Sequence, residues 1–301
     1  MAGVFVYSDK NGIALELISC AKAAGKEVMV IVFSQEAVEE VKNSGADRVF
    51  VLQGDSQVPE NYARAVADFL KAQSAELFLV GATARGRDLA ARVAGYLDCA
   101  MASDVSAISF GDGTVTTERM IYGGAVTQKE VLKGLSVVTV AGGKYVPIQG
   151  TAEVETVAVT PDSRMQLVDR APVEKQGVDL KEADRVVCIG MGIEKEDDMQ
   201  MIRELAAVLN AEIGCTRGIA EEKHWLPAEQ YIGISGAVIR PQLCLSIGIS
   251  GQVQHTIGIR DSKVIVAVNN NDKAPIFKTS DYGIVGDLYE IVPLLIEELK
   301  K

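Results

Sequence analysis

The residues with the clearest chemical potential form the stretch GISGQVQH at 248–255, where an apolar run ends and a helical pattern begins. In open α/β sheets, ligands bind at the carboxyl ends of the strands, and phosphates bind where helices begin. Ser250 supplies a hydroxyl group, and Gly251 allows the backbone to come close to a phosphate. A tight turn in which Ser250 caps the helix would use the same residues. The stretch is therefore compatible with a phosphate site or with a capped turn.

Other polar or glycine-containing segments also follow predicted strands. Asn269 ends the next strand and would share a sheet edge with Ser250, although an Asx turn alone would explain it. Gly190-Met191-Gly192 follows a strand but lacks the third glycine of a dinucleotide fingerprint. Arg217, within GCTR at 214–217, could bind an anion or lie exposed on the surface. These strand ends suggest a nucleotide-binding crevice without requiring one.

The composition excludes several classes of protein. The chain has 301 residues, with 30 Lys and Arg against 41 Asp and Glu, and a net charge of −11. The length predicts two domains, and the acidic balance disfavours nucleic acid and anionic lipid as partners. Five scattered cysteines and only two histidines argue against a metal site or a disulfide framework. The apolar runs are short and the N-terminus lacks a signal pattern, so we expect no membrane insertion and a cytoplasmic location.

The elements that would position these residues are alternating strands and helices. Near-continuous Val, Ile and Leu runs predict a parallel sheet that is covered by helices on both faces. In the first half, the predicted strands are 3–7, 28–33, 49–52 and 77–80, and the predicted helices are 13–24, 35–43, 60–73 and 87–97. Residues 105–120 and 134–159, broken by Gly123-Gly124 and Gly142-Gly143, are predicted to form a β extension of this domain. The polar stretch 160–183 is the predicted linker.

The second half repeats the alternation. Its predicted strands are 185–192, 243–251 and 263–269, and its predicted helices are 195–210, one beginning at 252, and 283–300. The sequence thus predicts an α/β protein of two parallel-sheet domains with Rossmann-like or flavodoxin-like architecture. The domains are 1–180 and 181–301, and the nucleotide crevice lies in the second.

Seven motifs of the second half occur together in a known order. They are GCTR (214–217), WLP (225–227), YIGISG (231–236), GISGQVQH (248–255), DSKVIVAVN (261–269), APIF (274–277) and DYGIVGDL (281–288). With VGATARGRDLAARVAGYL (80–97) and, less closely, RMIYGGAV (119–126), the chain resembles the α subunit of electron transfer flavoprotein nearly end to end.

This resemblance implies a heterodimer with a β subunit and one FAD held mainly by the second domain. The family shuttles electrons from flavin dehydrogenases, such as an acyl-CoA dehydrogenase, or from NADH-linked donors to an acceptor. Thr216 and Arg217 would lie by the isoalloxazine ring, and Ser235 would lie near flavin N5. Gln254 and His255 would approach the pyrimidine side of the ring or the ribityl chain, and His255 would be protonated or act as a hydrogen-bonding group. The residues implied to bind FAD are Thr216, Arg217, Ser235, Gly236, Gly248, Ser250, Gly251, Gln254, His255, Asn269 and Asp287, with Ser250 and Gly251 on the pyrophosphate and Asn269 and Asp287 on the adenosine half.

The strand ends of the first domain lack a phosphate loop, so we expect it to bind no nucleotide and to serve as the platform for the partner subunit. Its best candidate segment, 81–88, carries Arg85, Arg87 and Asp88, which suit ion pairing across a subunit surface.

The segment 231–236 reads YIGISG where the family commonly has Gln-x-Gly-Gln-Thr-Gly, and Ile234 replaces the second glutamine, so one amide contact near the flavin is absent. The YIGIS form resembles the branch linked to carnitine metabolism, nitrogen fixation or anaerobic acyl-CoA reduction, and electron bifurcation stays open. No recognisable nucleophile–base pair occurs, which favours a flavin electron carrier over a hydrolase or transferase. The alternatives are a stand-alone nucleotide-dependent oxidoreductase and a non-catalytic regulator that binds adenine nucleotides.

Overall fold

The computed structural model describes residues 3–122, 126–171 and 179–301. The chain divides into two compact units, Met1–Ala171 and Pro172–Lys301. The domain bounds 1–180 and 181–301 stay a prediction. Gly123 and Gly124, and residues 172–178 of the predicted linker, lie outside the described residues.

The first unit contains ten strands and four helices among its described residues. The strands are β1 (Val4–Tyr7), β2 (Val28–Val32), β3 (Arg48–Gln53), β4 (Leu77–Gly81), β5 (Ala100–Val105), β6 (Ala107–Phe110), β7 (Thr114–Ile121), β8 (Val126–Lys133), β9 (Ser136–Val140) and β10 (Glu153–Ala158). The helices are α1 (Asn11–Ala23), α2 (Gln35–Val41), α3 (Ala63–Ala72) and α4 (Ala84–Leu97). Seven strands form one parallel sheet in the order β10-β3-β2-β1-β4-β9-β5.

Both faces of this sheet are buried, as the apolar runs predict. Alternate side chains of β1 point to opposite faces. Val4 and Val6 belong to the core cluster that includes α1 and α2, whereas Phe5 and Tyr7 belong to the cluster that includes α3 and α4. The predicted α/β fold with parallel sheets is therefore confirmed.

The predicted β extension was partly wrong. Only β6, β7 and β8 form a separate antiparallel sheet, whereas β5, β9 and β10 join the main parallel sheet. All five residues of β9 are buried because this strand lies between β4 and β5. A short apolar run between glycines does not reveal which sheet it enters, since that depends on partners far away in the chain.

The second unit has a five-stranded parallel sheet. Its strands are β11 (Arg185–Ile189), β12 (Glu212–Cys215), β13 (Leu243–Ile247), β14 (Ile265–Asn269) and β15 (Tyr282–Val285), in the order β12-β11-β13-β14-β15. Its α-helices are α5 (Met199–Leu209), α6 (Val253–Ile259) and α7 (Leu288–Leu299).

The predicted helix 283–300 was wrong at its beginning, and β12 was not predicted. Residues 282–285 form β15, and α7 begins after Asp287, whose side chain accepts a hydrogen bond from the Tyr289 N–H at 2.9 Å. Both missed strands lie at sheet edges. Tyr282 and Val285 are 67% and 58% exposed, so β15 lacks the burial pattern that identifies a core strand.

Within the described residues, no helix is long and apolar enough to span a membrane. In that same part of the chain, no group of three or more His, Cys, Asp or Glu side chains could hold a metal ion.

Candidate functional site

The loop after β13 is shaped by two glycines with left-handed backbone conformations. Gly248 has φ +63° and Gly251 has φ +85°. A Cβ atom on Gly251 would lie 2.1 Å from the backbone nitrogen of Ile276, so no other residue fits there without movement of the backbone. The chain consequently passes close to Ile276 and turns sharply at the carboxyl end of β13.

Three donors fix the carbonyl groups of this loop. The Gly192 N–H donates to the Gly248 carbonyl at 3.0 Å, and the Ile276 N–H donates to the Ser250 carbonyl at 3.1 Å. The side-chain amide of Asn269 donates to the Ile249 carbonyl at 2.9 Å. The loop is thus held by β11, β14 and the turn before β15.

The N–H groups after Ile249 in this loop, by contrast, have no acceptor among the described residues. No described residue accepts a hydrogen bond from the backbone N–H of Ser250, Gly251, Gln252 or Val253. The residue that caps α6 is Gln252, with no side-chain bond, so the alternative in which Ser250 caps this helix is not what the structure shows. Successive free N–H groups beside a glycine are the donor set that binds phosphate.

Thr216 and Arg217 follow β12 at the same edge of the sheet. The Thr216 N–H donates to the Ile189 carbonyl at 2.9 Å, while its Oγ1 is buried without a partner among the described residues. The Arg217 side chain is 67% exposed, and its Nε lies 2.5 Å from Glu221 Oε2. This carboxylate raises the pKa of Arg217. Thr216 therefore offers an unused hydroxyl group, and Arg217 a permanent positive charge.

His255 is buried in α6, with 6% of its surface exposed. Its Nδ1 lies 3.0 Å from the Ile232 carbonyl, which can only accept, so Nδ1 carries the proton. Its Nε2 lies 3.9 Å from the Cys188 Sγ, and burial raises the pKa of that thiol. Burial lowers the pKa of His255, although the bond to Ile232 partly offsets this. Of the two expected forms, the structure supports the neutral, hydrogen-bonding imidazole.

The segment 231–236 is attached to the beginning of α6. The Ile234 N–H donates to the Gln254 carbonyl at 2.8 Å, and Ser235 Oγ lies 3.3 Å from the Tyr231 hydroxyl. A Cβ atom on Gly236 would lie 2.3 Å from the Tyr231 carbonyl oxygen. The YIGISG motif is thus a compact turn whose position is coupled to the GISGQVQH motif.

Asn269 and Asp287 both make structural contacts. Besides its bond to the loop, Asn269 accepts from the Asn271 N–H at 2.9 Å, so the predicted Asx turn is present. The Asn269 carbonyl accepts from Gly286 at 3.1 Å, and Asp287 caps α7. The carboxyl ends of β13, β14 and β15 are therefore connected through these residues.

One polar residue of this edge was missed in the sequence. Gln230 is 9% exposed, and its Oε1 is buried with no partner among the described residues. Its carbonyl accepts a hydrogen bond from the Cys215 thiol at 3.5 Å, which places it beside the end of β12. Gln230 precedes the YIGISG motif, but no local pattern marks it as functional.

In the first unit, the charged residues of segment 81–88 are already paired inside the chain. Arg85 lies 2.9 Å from Glu60, Arg87 lies 2.9 Å from Asp104, and Asp88 lies 2.9 Å from Arg92. The structure thus gives these charges internal partners, where the sequence suggested pairing across a subunit surface.

The second unit brings together loop N–H groups, a glycine cradle, a buried hydroxyl and an arginine at the carboxyl edge of a parallel sheet. The N–H groups are donors that suit a pyrophosphate, and Thr216 Oγ1 and Gln230 Oε1 are buried without a partner among the described residues. These residues fit FAD. Fold and site together define a two-unit α/β protein that binds a nucleotide cofactor in its second unit.

Comparison with known proteins agrees with this class. The family model described as "Electron transfer flavoprotein FAD-binding domain" matches residues 179–260, and the one described as "Electron transfer flavoprotein domain" matches residues 6–162. YdiR of Escherichia coli (strain K12), named as an electron transfer flavoprotein subunit, is 40% identical over 99% of this chain and 98% of its own length. FixB of Escherichia coli O1:K1 / APEC is 34% identical over the same shares.

The chain belongs to the electron transfer flavoprotein α-subunit family, and its cofactor is FAD. One solved structure is titled as a putative thiamin diphosphate-dependent enzyme from Mycobacterium smegmatis. Its match spans 97% of this chain and 59% of the solved chain. Its identity is 11% and its TM-score 0.25, which supports no conclusion.

Proposed function

We propose that this chain is the FAD-carrying subunit of a heterodimer with an electron transfer flavoprotein β subunit. The heterodimer shuttles electrons from a flavin dehydrogenase, such as an acyl-CoA dehydrogenase, or from an NADH-linked donor to an acceptor. The observation that carries the proposal is the series of free N–H groups from Ser250 to Val253, next to the cradle at Gly251. It lies within the residues matched by the family's FAD-binding domain.

The protein's part in this function is binding, orientation and electrostatics. FAD, when bound, supplies the electron-transfer chemistry. The backbone of Ser250 and Gly251 binds the pyrophosphate, and the hydroxyl of Thr216 and the charge of Arg217 act on the ring. A positive charge near the ring favours its reduced form, because reduction adds negative charge. His255, neutral and bonded to Ile232, orients the turn beside the ring rather than contributing charge.

Apolar residues at the rim of the site support a partner subunit. Ile234 and Val253 are each 55% exposed, and the Ile234 N–H bonds to Gln254, the neighbour of Val253. Exposed apolar side chains beside a cofactor site are typical of a surface that another chain covers. We therefore expect the isolated chain to be poor in flavin or poorly soluble.

The replacement of the common glutamine by Ile234 supports a finer assignment. An isoleucine removes one amide that could hydrogen-bond the flavin. We assign the chain to the branch associated with carnitine metabolism, nitrogen fixation or anaerobic acyl-CoA reduction. Ile234→Gln should then shift the flavin midpoint potential while the FAD content stays the same. An unchanged potential would remove the basis for this assignment.

Expression with and without an electron transfer flavoprotein β subunit tests the main proposal. A 1:1 complex with absorbance near about 375 and 450 nm, the bands of any oxidised flavin, is the expected result. A colourless chain that oxidises or reduces a substrate with NADH would indicate the stand-alone oxidoreductase. A colourless chain that binds only adenine nucleotides would indicate the regulator. A flavin-replete, monodisperse isolated chain would contradict the need for a partner.

A further inference from the structure

We infer that the first unit contains a binding site for a small polyhydroxylated anion, such as a sugar phosphate or a sugar acid. The site is a cavity of about 230 Å³ between α3, α4, the turn at 59–62 and the segment after β10. The turn follows β3, and β3 and β10 are parallel neighbours, so the cavity lies near the carboxyl ends of two strands. This is the sheet edge at which α/β folds bind ligands.

Arginines from three separate elements line this cavity. They are Arg64 on α3, Arg92 on α4 and Arg164 in the segment after β10. Their side chains are 66%, 42% and 77% exposed, so the guanidinium groups remain accessible. Each pairs with one carboxylate, but exposed ion pairs are weak, and a guanidinium group has five N–H donors. The carboxylates of Glu60 and Asp162 also line the cavity, so the three arginines leave an excess of one positive charge there, in a chain whose net charge is −11.

Two residues of the wall have unused acceptors. Glu60 pairs with Arg85 through Oε1, and its Oε2 is buried without a partner among the described residues. Asn61 is 2% exposed; its Nδ2 donates to Ser56 Oγ and to the Met165 carbonyl, each at 2.8 Å, and its Oδ1 has no described donor. Buried acceptors without donors are unfavourable. Both residues line the cavity, and a rotation of either side chain would turn its unused acceptor toward a ligand hydroxyl group, while the ligand's anionic group meets the arginines.

The wall is also built before any ligand arrives. The Asp162 N–H donates to the Asn61 carbonyl at 2.8 Å, and Arg164 bonds to Asp162 and, at 3.5 Å, to the Tyr96 hydroxyl. Arg64 packs on the same tyrosine, with its guanidinium carbon 5.3 Å from the centre of the Tyr96 ring. A preformed cavity lowers the entropic cost of binding. The anion would be held by side chains, so the absence of a phosphate loop in this unit is no obstacle.

Calorimetric titration of the FAD-loaded complex with the β subunit tests the inference with four probes: ribose 5-phosphate, gluconate, ribose and inorganic phosphate. We expect saturable binding of ribose 5-phosphate or gluconate that weakens with added salt, little binding of neutral ribose, and weaker binding of phosphate alone. The tighter of the first two identifies the anionic group. Failure of both to saturate would overturn the inference.

Three variants localise the site. Arg92→Gln and Arg164→Gln should each weaken binding by about ten- to hundredfold, the usual range for one charged hydrogen bond. Arg203→Gln, on α5 in the other unit, removes the same charge from a residue that does not line the cavity, and it should leave the affinity unchanged. Equal effects of all three variants would show non-specific attraction and refute the site. An unchanged thermal unfolding curve, followed by far-ultraviolet circular dichroism, reports that the first unit of each variant is folded; the FAD content reports the second unit.

Discussion

Replacing Gly251 by alanine should disrupt the loop that we propose binds FAD. The new Cβ would lie 2.1 Å from Ile276 N, whereas ordinary contacts begin at 3.4 Å, so the two segments must separate by more than an ångström. Overpacking of this kind costs about 1–3 kcal/mol, and the left-handed backbone at φ +85° costs about 1–2 kcal/mol more. We expect the free energy of unfolding of the second unit to fall by about 2–5 kcal/mol. Ile276 also donates a hydrogen bond to the Ser250 carbonyl, so its displacement should disturb the neighbouring N–H groups. FAD affinity should then fall at least about tenfold, which corresponds to the loss of one charged hydrogen bond.

Asn210→Ala is the matched control for this variant. Asn210 also has a left-handed backbone, with φ +47°, and it is exposed just before β12, at the opposite end of the strands from the site. Its Cβ already fits, so only the backbone cost of about 1 kcal/mol is expected, with unchanged FAD affinity. Trp225, the single tryptophan, reports urea unfolding of this unit in flavin-free protein, and quenching of flavin fluorescence reports binding. Equal losses of stability in the two variants, or normal FAD affinity in Gly251→Ala, would refute the steric reasoning.

Three further results are expected. Ser250→Pro removes a free N–H group and should abolish FAD retention, whereas Ser250→Ala preserves the N–H group and should retain FAD. Stoichiometric flavin absorbance in the proline variant would contradict the phosphate site. Arg217→Ala should lower the flavin midpoint potential, and Arg217→Lys should lower it less. Glu221→Gln should raise the potential, because it removes the carboxylate paired with Arg217, and all three shifts should shrink as salt is added. A redox titration that shows the same potential in all three variants would refute the position of Arg217. The pKa of His255 lies below its ordinary 6.5, so the unfolded chain binds protons more readily as the pH falls through 6.5. The free energy of unfolding should therefore decrease as the pH falls below 6.5. Measured by urea unfolding, this decrease should be less steep in His255→Gln than in the exposed control His224→Gln. Equal pH dependence in the two variants would contradict a buried neutral imidazole.

The central strands could be predicted because burial on both faces leaves a local mark. β1, β2 and β4 are apolar at every position, and each is followed by a helix with one apolar face. β15 leaves no such mark, since only one of its edges pairs and most of its side chains are exposed. β9 has the right composition, yet its membership of the main sheet depends on β4 and β5 rather than on its own residues.

The site shows the same division between local and distant information. The GISGQVQH motif identifies the loop, because glycine and serine after a strand are a local signal. The protonation of His255 could not be predicted, since it depends on Ile232 and Cys188, which are 23 and 67 residues away. The unused Oε1 of Gln230 likewise becomes visible only when its surroundings are folded.

The free N–H groups of the loop follow from how its carbonyl groups are held. In a trans peptide, the C=O of one residue and the N–H of the next point in opposite directions. The carbonyls of Gly248, Ile249 and Ser250 are each fixed by a donor from the protein, namely Gly192 N–H, Asn269 Nδ2 and Ile276 N–H. The N–H groups of Ile249, Ser250 and Gly251 must therefore point away from those donors, before any cofactor is present. Asn269 thus orients the peptide that carries the Ser250 N–H, and we expect this to be its contribution to cofactor binding.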